Sequence, residues 1–284
     1  MVAATALWGA TFVVVRDSVR ALDPAALVLV RFTAAAVVLG VVAGVRRAPF
    51  GPAVWIGGAI AGVLAAGGYG FQALGLTTIP AGSSAFLTCV GSLFSALFAW
   101  PLLGQRPSAT LLIGVGTAVA GSALLVAGAS ADFGRGEAWT LLGAALFALQ
   151  VVTLARFAPG ADPVALTAVQ AAATALTLCP LTPQALKQVA GLSSGDGWRL
   201  AYLIGAGSTL APLLQVAAQR TLPAGRIGLL LALEPVFALA FALSLGHERF
   251  MARWWVGATL ILCGVAWVEY RAARVGSGAS RRSM

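Results

Sequence analysis

Long apolar stretches alternate with short polar breaks along the whole chain. A helix needs roughly 20 apolar residues to cross the hydrocarbon core of a bilayer. By that ruler the sequence predicts ten spans, over residues 2–19, 25–45, 53–76, 81–103, 108–129, 137–156, 163–183, 198–219, 224–246 and 253–272. The breaks hold charges and turn formers: Arg16-Asp17 to Asp23-Pro24, Arg46-Arg47-Ala48-Pro49, Gly104-Gln105-Arg106-Pro107 and Ala131 to Gly136. Later ones are Pro159-Gly160-Ala161-Asp162-Pro163, Ser193 to Gly197, and Gly246-His247-Glu248-Arg249. Such residues end helices and start turns.

The pattern repeats. Thr78-Ile79-Pro80-Ala81-Gly82 returns as Thr221-Leu222-Pro223-Ala224-Gly225, 143 residues later. At that offset Gln72 falls on Gln215, Phe94 on Phe237, Phe98 on Phe241, Gln105-Arg106 on Glu248-Arg249, Gly114 on Gly257 and Gly121 on Gly264. Asp23-Pro24 returns as Asp162-Pro163 at an offset of 139, which implies a short insertion between the two blocks. The sequence thus divides into a first five-helix unit (1–130), a second one (136–272) and a basic tail (273–284) expected to be flexible. Five is odd, so the second unit enters the membrane the opposite way round. Inverted repeats of this kind characterise carriers whose substrate site lies between the halves near the midplane.

Composition fits this reading. The chain is 60% hydrophobic and 10% charged, with mean hydropathy +0.92. Too few charges exist to coat a water-facing globule, which excludes a soluble enzyme, disorder and collagen. The net charge of +9 is scattered between apolar runs and gathered at the tail, a distribution of membrane orientation rather than of nucleic-acid binding. Ten basic residues fall on the side of the two termini (Arg46, Arg47, Arg106, Arg156, Arg220, Arg226, Arg271, Arg274, Arg281, Arg282) against seven on the other, which predicts cytoplasmic termini. No cleavable signal peptide is expected, because the first span lacks a basic leader. Cys89, Cys179 and Cys263 are far apart and His247 stands alone, so neither a disulfide framework, a metal site nor a cofactor is expected.

Leu7-Trp8-Gly9-Ala10-Thr11-Phe12, the Asp23-Pro24 step, Arg31-Phe32, and the doubled Gly-(Glu/Gln)-Arg loops each followed by a Gly-x6-Gly helix resemble the EamA-type drug/metabolite transporters. The resemblance spans nearly the whole chain and is nearest to the amino-acid exporters. It departs at Gln105, where the first unit of the family usually has Glu, and at Gln170, which stands where the first half has Arg31. The resemblance implies an all-α integral membrane protein of ten helices with cytoplasmic termini, in a bacterial-type inner membrane. It also implies export of small metabolites, often amino acids; a monomer or homodimer is expected.

Polar residues inside a span are costly unless they face protein or water, so each is a candidate for the cavity. Tyr69 and Gln72 share one face of span 3. Gln215, the repeat mate of Gln72, and Gln219 share a face of span 8. Two symmetry-related amides at mid-span can meet across the pseudo-axis and offer donor and acceptor to a zwitterion, or act as glue between helices. Gln150 in span 6, Trp8 in span 1, and Ser84 and Thr88 in span 4 complete the candidate wall, with helix packing as the plainer role for the hydroxyls. Gly40-x3-Gly44 and Gly58-x3-Gly62 predict close helix approach, and the Gly-x6-Gly helices predict packing or dimer surfaces.

Glu234 is the carboxylate placed well inside a predicted span, and Pro235 beside it removes a backbone hydrogen bond and kinks or opens span 9. It is either a site for a coupling proton or a structural glutamate at the kink. Arg31, two turns into span 2, either snorkels, pairs with an acid or draws a substrate carboxylate. No nucleophile–base pair or metal-ligand motif lies in the spans, so an intramembrane enzyme is not expected. A passive channel, a multidrug exchanger of lipophilic cations and a sugar-phosphate carrier are the competing readings. The first lacks charged rings, the second a carboxylate deep in span 1, and the third a set of buried cations. The expected function is broad-specificity amino-acid export by alternating access.

Overall fold

The computed structural model describes residues 1–126, 133–244 and 252–282, all of whose regular elements are helical. They are α1 (Val2–Ser18), α2 (Pro24–Val45), α3 (Pro52–Gly75), α4 (Ala81–Leu103), α5 (Ala109–Val126), α6 (Arg135–Phe157) and α7 (Pro163–Thr177). Then follow α8 (Thr182–Ala190), α9 (Ser194–Tyr202), α10 (Ala211–Gln219), α11 (Ala224–Leu231), α12 (Glu234–Ser244) and α13 (Ala252–Arg282). His247, Glu248 and Arg249 lie outside the described residues.

The repeated Asp-Pro step is a helix start. Asp23 caps α2 by accepting from the N–H groups of Ala25 and Ala26 (3.0 and 3.3 Å), and Asp162 caps α7 from Val164 and Ala165 (2.9 and 3.0 Å). The proline that follows each one occupies the first turn, where its missing N–H costs nothing.

Among the described residues, seven helical stretches are long and apolar enough to cross a membrane, and eight if the bent α7–α8 pair counts as one. Their outer faces bear Val37, Val41 and Val45 on α2 and Ile56, Ile60 and Val63 on α3, all exposed. A contiguous apolar surface of that extent has lipid as its natural solvent. The chain is a multi-pass membrane protein. Three predicted spans are interrupted. Span 7 stops at Thr177 and bends by 57°, because Pro180 and Pro183 supply no N–H to carry the ladder on. Span 9 breaks at Ala232-Leu233, one step before Glu234-Pro235. Span 8 carries a π-helical segment from Leu203 to Leu210. The last helix continues to Arg282, through residues read from the sequence as a flexible tail.

The helices interlock across the chain. α3 packs on α6 and α7, α4 on α6 and α11, α2 on α7, and α1 on α12. Small residues allow this. A methyl group added at Gly62 would sit 2.5 Å from the Gln170 carbonyl, and Thr174 Oγ1 donates to the Gly62 carbonyl at 3.0 Å. Gly40 and Gly44, expected to mediate a similar approach, have nothing within 4 Å and face outward instead. The Gly-x6-Gly helices pair with each other. A methyl at Gly121 would lie 2.5 Å from the Gly257 carbonyl, and one at Gly264 would lie 2.6 Å from the Gly114 carbonyl, so α5 and α13 run antiparallel with backbones in contact. Those glycine faces are consumed within the chain.

Candidate functional site

Where interrupted spans 8 and 9 meet α1, α3, α4 and α6, they leave a narrow cavity of about 60 Å³ in the middle of the bundle. It has room for a few waters. From α1 come Trp8, Thr11 and Phe12, from α3 Tyr69 and Gln72, and from α4 Thr88, Gly91, Ser92 and Ser95. The other wall is Ala144, Phe147, Ala148, Gln150 and Val151 of α6, Gln215 of α10, Leu231 at the end of α11 and Glu234 at the start of α12.

The amides are paired locally. Gln72 Nε2 donates to Thr88 Oγ1 at 3.1 Å, tying α3 to α4. Gln150 and Gln215 exchange hydrogen bonds, at 3.4 Å from Gln150 Nε2 and 3.2 Å from Gln215 Nε2. The repeat-related Gln72 and Gln215 therefore share the cavity without bonding to each other, because each finds a nearer partner within its own wall. Tyr69 stands between Phe32, at 4.9 Å between ring centroids, and Phe147, at 4.7 Å edge-on. Glu234 is buried, and the Glu234 carbonyl would lie 3.1 Å from a methyl at Gly9, which is how closely α1 approaches the break.

Three sequence candidates fall outside the lining. Ser84 is fully buried among helices, and Gln219 Nε2 donates to the Val151 carbonyl at 2.7 Å, joining α10 to α6. Pro235 shapes the break without lining the cavity. Arg31 does not snorkel, and it pairs with no acid among the described residues. Only 2% of it is exposed, its Nε donates to Ser208 Oγ at 3.0 Å, and its guanidinium lies 5.5 Å from the Tyr69 ring centroid, behind the cavity wall.

The π segment explains Trp8. The Ala211 N–H reaches back to the Ala206 carbonyl, five residues earlier. Pro212, next in line, has no N–H for Gly207, so that carbonyl is left without its π-helical donor. Trp8 Nε1 donates to it at 3.0 Å. Thr5 Oγ1 similarly donates to the Leu230 carbonyl at 3.3 Å, just before the second break, and Tyr202 Oη donates to the Leu7 carbonyl at 3.1 Å.

Phe147, Thr11, Phe12, Ser92 and Ser95 were not singled out from the sequence, yet they line the cavity. The repeat contained a signal for some of them: the Asp-Pro offset of 139 carries Trp8 onto Phe147, Thr11 onto Gln150 and Phe12 onto Val151.

Comparison with known proteins gives three findings. No curated protein matches the chain. Among solved structures, one crystal structure superposes with a TM-score of 0.75 over 96% of this chain and 96% of its own, at 21% identity, which shows a shared fold. The profile of the EamA-like transporter family matches twice, over residues 1–127 and 134–270, so with its tandem halves and apolar helices the chain belongs to that family of membrane transporters.

Proposed function

We propose that the chain is an alternating-access exporter of amino acids with broad selectivity, aromatic and neutral aliphatic ones included. In this reading it sits in a bacterial-type inner membrane with both termini in the cytoplasm and ten spans in two inverted halves. The observation that carries the reading is how the cavity is shared. Trp8 and Phe147, Thr11 and Gln150, and Phe12 and Val151 are repeat mates at offset 139; Gln72 and Gln215, Thr88 and Leu231, and Gly91 and Glu234 are mates at 143. All twelve residues line one cavity, as a pseudo-two-fold axis through its centre requires. The α5–α13 seam supports the same axis, because exchanging halves turns the Gly114–Gly264 contact into Gly257–Gly121. α1 and α5, the two predicted spans of the first half that are shorter than the ruler, pack along α12 and α13 of the second, which supports counting them as spans.

Amides, hydroxyls and aromatic rings beside one carboxylate suit a zwitterion with an apolar side chain. At about 60 Å³ the cavity must widen to admit one, and a rearrangement between halves supplies that. No lysine or arginine is among the lining residues, which speaks against sugar phosphates. Glu234 set among Trp8, Tyr69 and Phe147 favours a second reading, a lipophilic cation held by charge and cation–π contact. Uptake of labelled threonine, methionine and phenylalanine into proteoliposomes, with and without a pH gradient, tests the first. Saturable uptake with cross-competition supports it, and cation transport without amino-acid transport replaces it with the second.

A further inference from the structure

A second and larger cavity, about 710 Å³, opens at the end of the bundle where α5 and α11 begin and α13 nears its end. Gly104, in the left-handed region at φ 69°, turns the chain out of α4. The turn presents Gln105, whose Oε1 accepts from the Ala224 N–H at 3.3 Å at the start of α11, while Ser108 Oγ accepts from the Leu111 N–H at 3.2 Å in the first turn of α5. Two helix N-termini, with their partial positive charge, thus border one cavity.

Arg106, Arg226, Arg271 and Arg274 line it as well. Arg226 is fixed by a two-pronged pair with Glu269, its Nε at 3.1 Å from Oε1. Arg106 and Arg271 have no ion-pair partner among the described residues; their guanidiniums rest on Trp100 and Trp267, at 5.8 and 5.3 Å from the ring centroids, and Arg274 lies 4.6 Å from that of Tyr270. Trp100, Trp267 and Tyr270 are half exposed on the outer surface, where aromatic residues mark the membrane–water interface. Leu97, one turn deeper on α4 than Trp100, is exposed too. The cavity therefore has a cationic mouth at headgroup level and an apolar flank beneath it.

We propose that this cavity binds the phosphate headgroup of an anionic phospholipid from the surrounding leaflet. A free phosphate shares the headgroup chemistry but makes no use of the apolar flank. Basic pockets between transmembrane helices hold anionic headgroups in this way, each arginine near the surface adding attraction. The site is independent of the cargo in the central cavity.

The full chain in detergent is titrated with phosphatidylglycerol, with phosphatidylcholine of the same acyl chains, and with inorganic phosphate, following lipid retention by native mass spectrometry and thermal unfolding. Phosphatidylglycerol is expected to be retained and to raise the unfolding temperature, and the other two are not. Arg106→Gln combined with Arg271→Gln should weaken that retention about thirtyfold. The Lys pair at the same positions should keep most of it, and Arg46→Gln with Arg47→Gln, elsewhere at this end, should leave it unchanged. Equal retention of the two lipids, or full stabilisation by inorganic phosphate alone, overturns the proposal. If the Gln variant does not fold, the Lys variant and the three-ligand comparison on the native chain decide the matter.

Discussion

Gln150 of α6 and Gln215 of α10 face each other as a closed amide pair, each Nε2 donating to the other's Oε1 at 3.4 and 3.2 Å. Both are buried and both border the central cavity, so any solute that bonds to one must compete with the other. Truncating one partner strands the amide of its mate, a buried unsatisfied group that costs about 1–3 kcal/mol. Gln215→Ala is therefore expected to lower both thermal stability and transport. Gln150→Ala with Gln215→Ala should recover part of the stability and none of the transport. Unfolding in detergent and flux in proteoliposomes separate the two effects; full flux in the double variant would remove the pair from the cargo path.

Glu234→Gln keeps the shape of the side chain at the helix break and removes its capacity to exchange a proton. The expected outcome is flux that no longer responds to a pH gradient, with unfolding temperature near the native value. A gradient response equal to that of the native chain would leave Glu234 as a structural member of the break.

Trp8→Phe retains an aromatic wall and removes the donor to the Gly207 carbonyl. The loss of that buried hydrogen bond should cost about 1–3 kcal/mol and speed amide hydrogen exchange in Leu203–Leu210 above that in the continuous helix α3. Unchanged exchange in the segment would show that Trp8 does not hold it.

Gly121→Leu forces a side chain into a seam where even a methyl group would lie 2.5 Å from the Gly257 carbonyl. Overpacking of this kind is expected to cost about 1–3 kcal/mol or more. Gly40→Leu, at a position with nothing within 4 Å, should change stability little. Similar unfolding temperatures for the two variants would contradict the seam.

Much of this was legible in the sequence, for identifiable reasons. Span positions follow from hydropathy, because lipid forces long apolar runs, and the Asp-Pro repeat marks helix starts because the carboxylate and the ring each solve a first-turn problem. The amide wall of Gln72, Gln150 and Gln215 was legible because polar groups in a span must face something. Hydropathy alone does not tell a lipid-facing glycine pair from a buried one, so Gly40 and Gly44 looked the same as Gly58 and Gly62. The partners of Arg31 and Gln219 were hidden too: Ser208 lies 177 residues from Arg31, and the carbonyl of Val151 carries no signature of its own. The bend after α7 was marked by Pro180 and Pro183 but lay inside a run apolar enough to read as one span.

The hydrogen bonds of the π segment bear on how the protein is made. Its irregular backbone in the second half is completed by a side chain of the first, Trp8 on the Gly207 carbonyl, and Arg31 of the first half bonds the Ser208 hydroxyl in the same segment. A second half synthesised alone would hold that backbone in the membrane with the Gly207 carbonyl lacking its donor. The duplicated halves are therefore not self-sufficient modules. The π segment of the second half leans on α1 and α2 of the first, which ties the two unequal copies together.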